Sequence, residues 1–238
     1  SEPDAGPAIE AGAGIIAIQK GRCMSLRLYN TLTRTQEEFI PLNQGEVKMY
    51  TCGPTIYDYV HIGNFRTFIF QDILRRYLIY RGYRMTHAMN ITDVEDKIIA
   101  NARSQGVSIH EYTGKFEAAF FEDMQALRIQ RPEIMPRATG HIDEMIGLVS
   151  RLRDNGHTYE RDGSTYFRID SFAGYGRLSG VQVEQESSLL GQVDDDEYSK
   201  DNPRDFVLWK GRRDQEPYWG SPFGEGRPGW HLECSAMS

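Results

Sequence analysis

Val47-Lys48-Met49-Tyr50-Thr51-Cys52-Gly53-Pro54, followed by Thr55-Ile56-Tyr57-Asp58 and His61-Ile62-Gly63-Asn64, is the stretch on which the fold turns. β-Branched and aromatic residues from Val47 to Cys52 predict a strand, and Gly53-Pro54 stops it. After the loop, apolar residues recur at Phe65, Ile69, Ile73 and Tyr77 and at Phe70, Leu74 and Leu78. That spacing predicts a helix buried on a broad face, ended by Gly82. Arg84 to Met89 reads as the next strand, and strand, helix, strand implies a parallel βαβ unit. In such a unit the free N–H groups and positive end of the helix point over the carboxyl edge of the sheet, where phosphate is the usual occupant. His61 can donate a hydrogen bond there, and Gly63 leaves bare backbone against which a base or ribose can lie. A plainer reading makes His61 a helix cap and Gly63 a turn residue, and the tetrapeptide alone does not choose.

Further out, residues 1 to 23 are rich in Gly and Ala and read as an extension outside the fold, with Met24 a candidate start. Ser25 to Asn30 and Glu37 to Pro41 read as short strands around a turn. Thr92 or Asp93 is expected to cap a helix to about Ala102, and Ser108 with Glu111 forms a capping-box pattern for a helix to about Leu127. Thr139 is expected to cap a further helix through Arg153. His157 to Asp170 alternates around Arg161-Asp162-Gly163-Ser164, a hairpin signal, and Phe206 to Trp209 resumes a strand. The expected organisation is α/β: the first half of a nucleotide-binding domain over 24–105, an inserted α+β segment over 106–204, and a return to the first domain over 205–238.

Composition sets the limits within which this reading stands. The chain has 238 residues, 39% hydrophobic and 26% charged, as in ordinary globular proteins rather than disordered, collagenous or coiled-coil chains. The longest run of small and apolar residues, Ala11 to Ile18, falls far short of the roughly 18 residues of a membrane helix, so no membrane association is expected. Glu2 and Asp4 in place of a basic start argue against export, and a cytoplasmic location is expected. Three cysteines, Cys23, Cys52 and Cys234, imply no disulfide framework. The net charge of -7 argues against holding nucleic acid by bulk charge. Eight acids between Glu184 and Asp205 against two bases supply most of that charge, and the stretch reads as a solvated loop.

Near the end, Pro228-Gly229-Trp230-His231-Leu232-Glu233-Cys234 gathers an indole, an imidazole, a carboxylate and a thiol. These include potential zinc ligands, but Cys52 and Cys234 are so far apart in sequence that spacing alone leaves open two inert buried cysteines and a core tryptophan. The ordered set Tyr-Thr-Cys-Gly-Pro-Thr-Ile-Tyr-Asp (50–58), His-Ile-Gly-Asn (61–64), Asn-Ile-Thr-Asp-Val-Glu-Asp-Lys-Ile-Ile (90–99), Pro-Arg-Ala-Thr (136–139), Asp-Phe-Val-Leu-Trp-Lys (205–210) and Gly-Arg-Pro-Gly-Trp-His-Leu-Glu-Cys-Ser-Ala-Met (226–237) closely resembles the N-terminal part of the cysteinyl-tRNA synthetases. Six motifs in one order, from about Ser25 to Met237, are far more specific than any one of them.

The resemblance implies a class I aminoacyl-tRNA synthetase: a Rossmann-type parallel sheet interrupted by an inserted connective segment. The implied reaction joins L-cysteine and ATP, with Mg²⁺, into cysteinyl adenylate and then passes the cysteinyl group to tRNA(Cys). By resemblance, His61 and Asn64 are catalytic, and His61, Gly63 and Asn64 bind ATP. Gly53, Thr55, Trp230 and His231 face the substrate cysteine, and Cys52 and Cys234 are two ligands of one Zn²⁺. The fourth position of the nucleotide signature, usually His in that family, is Asn64. The lysine-rich loop, the remaining zinc ligands and the anticodon-binding domain of the family have no counterpart in these residues, so about half a synthetase, acting as a monomer, is expected. Cys23 receives no role. The rivals kept open are a paralogous ligase that gives cysteinyl adenylate to an amino sugar, as in mycothiol biosynthesis, and a truncated, non-catalytic ATP- or partner-binding module.

Overall fold

The computed structural model describes residues 25–180, 200–202 and 204–238. The extension up to Cys23 and Met24 and most of the acidic stretch therefore lie outside the described residues. The chain divides into two compact units, one up to Ile40 and one from Pro41 to Ser238. In the first, β1 (Arg27–Asn30) and β2 (Thr35–Glu38) form an antiparallel pair around a tight turn. The second strand thus begins before the expected Glu37, because the turn closes on Arg34 N–H to Asn30 O at 2.7 Å.

The second unit opens with the expected βαβ. β3 (Glu46–Thr51) and β4 (Arg84–Met89) run parallel in register from Glu46 beside Arg84 to Thr51 beside Met89, joined by α1 (Ile62–Tyr80). Parallel bridges from Ala88 to Ile134 and from Ile91 to Arg137 continue the layer beyond β4.

The buried face of α1 keeps Phe65 and Leu78 of the predicted apolar set, with Ile69 and Leu74 half-buried, but turns away from the rest. Phe65, Phe68, Asp72, Arg75 and Leu78 are buried, whereas Phe70, Ile73 and Tyr77 are exposed. The reason is polar. Asp72 accepts from the backbone N–H of Gln130 at 3.1 Å and from Arg76 Nε at 2.7 Å, and Arg75 pairs with Glu133. A paired charge can be buried, so the loop over 128–133 covers a charged stripe of the helix that a hydrophobic count leaves to solvent.

α2 (Asp96–Gln105) is capped by Glu95, which accepts from Lys97 N–H at 2.8 Å, in place of the expected Thr92 or Asp93. Both of those residues are buried and otherwise engaged: Asp93 bonds the N–H and hydroxyl of Thr139 at 2.9 and 2.6 Å. Thr139 is in turn not the cap of α4 (Ile142–Asp154), whose N-cap position is His141. α3 (Ile109–Ala126) follows the capping-box reading, Ser108 accepting from Glu111 N–H at 3.1 Å.

β5 (Thr158–Arg161) and β6 (Ser164–Phe167) form the expected hairpin. Asp162 and Gly163 both have positive φ, 50° and 74°, as a two-residue hairpin turn requires. β7 (Phe206–Gly211) and β8 (Gly226–Pro228) extend that hairpin into one four-stranded antiparallel sheet in the order β5-β6-β7-β8, and α5 (Trp230–Met237) follows. Val149, Met145, Trp209, Leu208 and Leu232 share one core between α4, α5 and this sheet. Among the described residues no helix is long and apolar enough to cross a membrane.

His87, on β4, is buried behind α1 and bonds Thr51 Oγ1 at 2.8 Å. Burial, and then the Arg75 guanidinium, push its pKa below the ordinary 6.5, against smaller opposing effects of Glu133 and Asp72. The folded chain therefore keeps this imidazole neutral while the unfolded chain protonates it. Its stabilising share is complete above pH 6.5 and drains away as the pH falls toward the folded value. In urea titrations at pH 7 and pH 5, the wild type is expected to lose up to about 1.4 kcal/mol per pH unit from this group. His87→Gln removes that part of the slope; an unchanged slope in the variant contradicts the assignment.

Candidate active site

The strand, the loop and the end of the chain meet at the carboxyl edge of β3. The backbone beyond Thr51 crosses so close to Asn90 that a Cβ on Gly53 would lie 1.9 Å from the Asn90 carbonyl oxygen and 2.8 Å from Met89 Cγ. Only glycine fits that crossing. Asn90 Oδ1 in turn accepts from Gly53 N–H at 3.0 Å. Two residues on, Thr92 N–H donates to Pro54 O at 3.0 Å, and its carbonyl accepts from Ile56 N–H at 3.1 Å. The segment Asn90 to Thr92 thus fixes both flanks of the Cys52 turn.

The same segment reaches α5. Thr92 Oγ1 donates to Glu233 Oε2 at 2.6 Å, and both residues are buried. Burial pushes the Glu233 carboxyl up to about 8; the Thr92 bond opposes this, while Asp93 and Glu95 add to it. Its neighbour Cys234 then comes to 3.2 Å, sulfur to sulfur, from Cys52, and 3.8 Å from Asn90 Oδ1. Partial burial and the facing Cys234 sulfur push the Cys52 thiol up to about 11. The Tyr50 hydroxyl is buried beside the pair, and its pKa is raised first by that burial and then by Cys234. Two soft donors 182 positions apart in the chain are thereby joined, which spacing alone could not tell.

A cleft of about 230 Å³ has walls that include Thr55, Tyr57, Asp96, Lys97, Lys210 and Trp230, and neither cysteine lines it. Trp230 is half exposed at the first position of α5. The His231 ring is also exposed, with its centroid 5.0 Å from that of Phe206. At the start of α1, His61 does cap the helix, its Nδ1 accepting from Gly63 N–H at 3.1 Å. An accepting Nδ1 leaves the ring proton on Nε2, so the cap itself makes His61 an outward donor. His61, Gly63 and Asn64 are all exposed.

Of the residues singled out from the sequence, Cys52 and Cys234 meet sulfur to sulfur, Thr55 and Trp230 line one cleft, and His61, Gly63 and Asn64 open the helix. Gly53 is held by backbone crowding. The sequence reading gave Thr92 only a helix-capping role, counted the Glu233 carboxylate only among potential zinc ligands, and gave no role to Asn90 or Tyr50. The signal was present: Asn90, Thr92 and Asp93 are a polar run between a strand and a helix, and buried polar side chains there need partners. Glu233→Gln keeps an acceptor for Thr92 and is expected to unfold near the wild-type denaturant midpoint. Glu233→Ala strands the Thr92 hydroxyl and is expected to cost about 1–3 kcal/mol in the same titration.

Residues 38–238 match the family described as tRNA synthetases class I (C), catalytic domain. The chain is 52% identical over 213 residues to the cysteine–tRNA ligase of Brachyspira hyodysenteriae, covering 88% of this chain and 45% of that protein. It is 49% identical over 215 residues to the cysteine–tRNA ligase of Pyrococcus horikoshii, covering 90% and 45%. Among solved structures, the Mycobacterium tuberculosis methionyl-tRNA synthetase in complex with methionyl-adenylate aligns over 52% of this chain and 32% of its own, at 16% identity and a TM-score of 0.46. The chain spans about half the length of the ligases it matches. A match running from the end of β2 through the sulfur pair to Ser238 gives the parallel unit and its loops their place: the chain belongs to the family of class I (C) tRNA synthetase catalytic domains.

Proposed function

We propose that this chain carries the cysteine- and ATP-recognising part of a cysteine–tRNA ligase, and the observation that carries the reading is the Cys52–Cys234 sulfur pair, 3.2 Å apart. The carboxylate of L-cysteine attacks the α-phosphorus of ATP, pyrophosphate leaves, and the cysteinyl group of the adenylate then passes to the 3′-terminal ribose of tRNA(Cys). Mg²⁺ accompanies the ATP. The residues of this chain act by positioning and by charge. The start of α1 offers the positive end of a 19-residue helix to phosphate oxygens. His61 Nε2–H adds a directed donor, Gly63 keeps the approach free of a side chain, and the Asn64 amide donates without carrying charge. Gly53 and Thr55 border the substrate on one side, Trp230 and His231 on the other.

The sulfur pair also supports a zinc site. Two thiolates on one tetrahedral Zn²⁺ at about 2.3 Å each stand about 3.8 Å apart, a small opening of the observed 3.2 Å. Among the described residues no group of three or more His, Cys, Asp or Glu could hold a metal ion, so Cys52 and Cys234 supply two donors of the set. When bound, zinc supplies a soft Lewis acid that prefers the thiolate of cysteine to the hydroxyl of serine. Size alone separates such near-isosteres by only about 1–3 kcal/mol. The segment 106–204 is read as the connective insertion, and the protein as a cytoplasmic monomer.

His61→Ala is expected to lower cysteine-dependent exchange of labelled pyrophosphate into ATP by about 10²–10³-fold, as for the loss of one preorganised donor, while Asn64→His keeps or raises it. A wild-type rate in His61→Ala removes the assignment. Metal analysis after growth in zinc tests the pair separately: Cys52→Ser is expected to lose zinc and cysteine affinity together, and full zinc stoichiometry in that variant contradicts the site.

A further inference from the structure

We propose that Asp96 is a positioning residue for the sulfur pair: by tying the start of α2 to both strands of the β7–β8 hairpin, it sets where Cys234 stands relative to Cys52. The inference rests on the paired-sulfur site proposed above.

Asp96 forks between two cations. Its Oδ2 accepts from Lys210 Nζ on β7 at 2.6 Å, and its Oδ1 pairs with the Arg227 guanidinium on β8. Arg227 Nε also donates to Glu216 Oε2 at 3.0 Å. Lys210 and Arg227 are buried, only 5% and 4% exposed, whereas about half of the Asp96 side chain faces the cleft. Burial raises the Asp96 pKa, but Arg227 and Lys210 outweigh it and hold the carboxyl below its ordinary range, so the fork stays charged.

What the fork controls follows from the chain on either side. Beyond Arg227, Gly229 N–H donates to Leu208 O at 2.8 Å, and α5 begins at the next residue. A Cβ on Gly229 would lie 2.1 Å from Val207 O, so the entry to α5 cannot slide against β7. Cys234 stands about one turn into that helix. On the other side, Asp96 follows Thr92, whose backbone holds Pro54 and Ile56 just past Cys52. The Thr92–Glu233 bond and the weaker Cys234–Asn90 contact tie these halves of the site at neighbouring residues, and ties so close together leave a pivot. Asp96 supplies a further polar tie away from them, beside the apolar packing of Leu232 and Met237. With sulfurs 3.2 Å apart, a pivot of about 1 Å is enough to break their common grip on one atom.

A dithiol probe reads this geometry without reference to turnover. Phenylarsine oxide bridges two thiols: two As–S bonds form, the arsenic–oxygen bond breaks, and the two thiol protons leave with the oxygen as water. Arsenic stays trivalent, so no oxidant is needed. In the full chain carrying Cys23→Ser, so that two thiols remain, one arsenical is expected to bind. Asp96→Asn is expected to weaken that binding by about ten-fold or more, measured well below the unfolding midpoint. Because Asp96→Asn leaves two buried cations short of a carboxylate and can fail to fold, the charge-balanced D96N/K210M is measured beside it. A purely structural role for Asp96 moves the midpoint of the single variant and leaves the arsenical affinity of the balanced one at the wild-type value. That result overturns the inference. Failure of the Cys23→Ser chain itself to capture the arsenical, or equal capture after Cys52→Ser, instead removes the paired-sulfur site on which the inference stands.

Discussion

The site depends on one crossing of backbone over backbone, where the Gly53 turn passes the Asn90 carbonyl too closely for any side chain. A β-carbon at 1.9 Å from that oxygen has no way to relax, since the atom it meets is main chain. The crossing puts Asn90 within reach of Gly53 N–H and Thr92 within reach of the next turn of the loop. Through Thr92 it also brings Glu233, and with it Cys234, to the end of β3. Remove the closeness of that crossing and the two sulfurs lose their common frame, although every strand and helix could still form.

Polar groups, more than apolar ones, decide which faces are covered around this frame. Asp72 and Arg75 lie inward on α1 because Gln130, Arg76 and Glu133 meet them, while Phe70 and Ile73 on the same helix lie outward. Thr92, Asp93 and Glu233 are buried for the same reason, each with a partner of matching geometry. Removing one member of such a pair strands the other, which costs more than the bond itself contributes. The same logic lets the site hold two thiols side by side. Cys52, partly buried and facing the Cys234 sulfur, is pushed up to about 11 and so keeps its proton near neutral pH.

At the start of α1 one imidazole can serve two ends. His61 closes the first turn of α1 through Nδ1 and, by accepting there, sends its remaining proton outward on Nε2. The two readings that the sequence left open, helix cap and phosphate donor, are thus compatible halves of one arrangement. A glycine at position 63 supports both, since a Cβ there would lie 2.9–3.0 Å from the His61 ring atoms.

By itself the sequence determined what depends on neighbours along the chain. The β-branched and aromatic residues of Val47–Cys52, the punctuation at Gly53-Pro54 and Gly82, the Ser108–Glu111 box and the Asp162-Gly163 turn are local signals, and β3, α1, β4, α3 and the β5–β6 hairpin follow them. The ordered motifs likewise gave the family, because order survives without coordinates. Tertiary structure alone decided which face of α1 is covered, why Thr92 and Asp93 are not caps, and how Cys52 meets Cys234 across 182 positions. Burial of a polar side chain depends on a partner brought from elsewhere in the chain, and no local period records where that partner will come from.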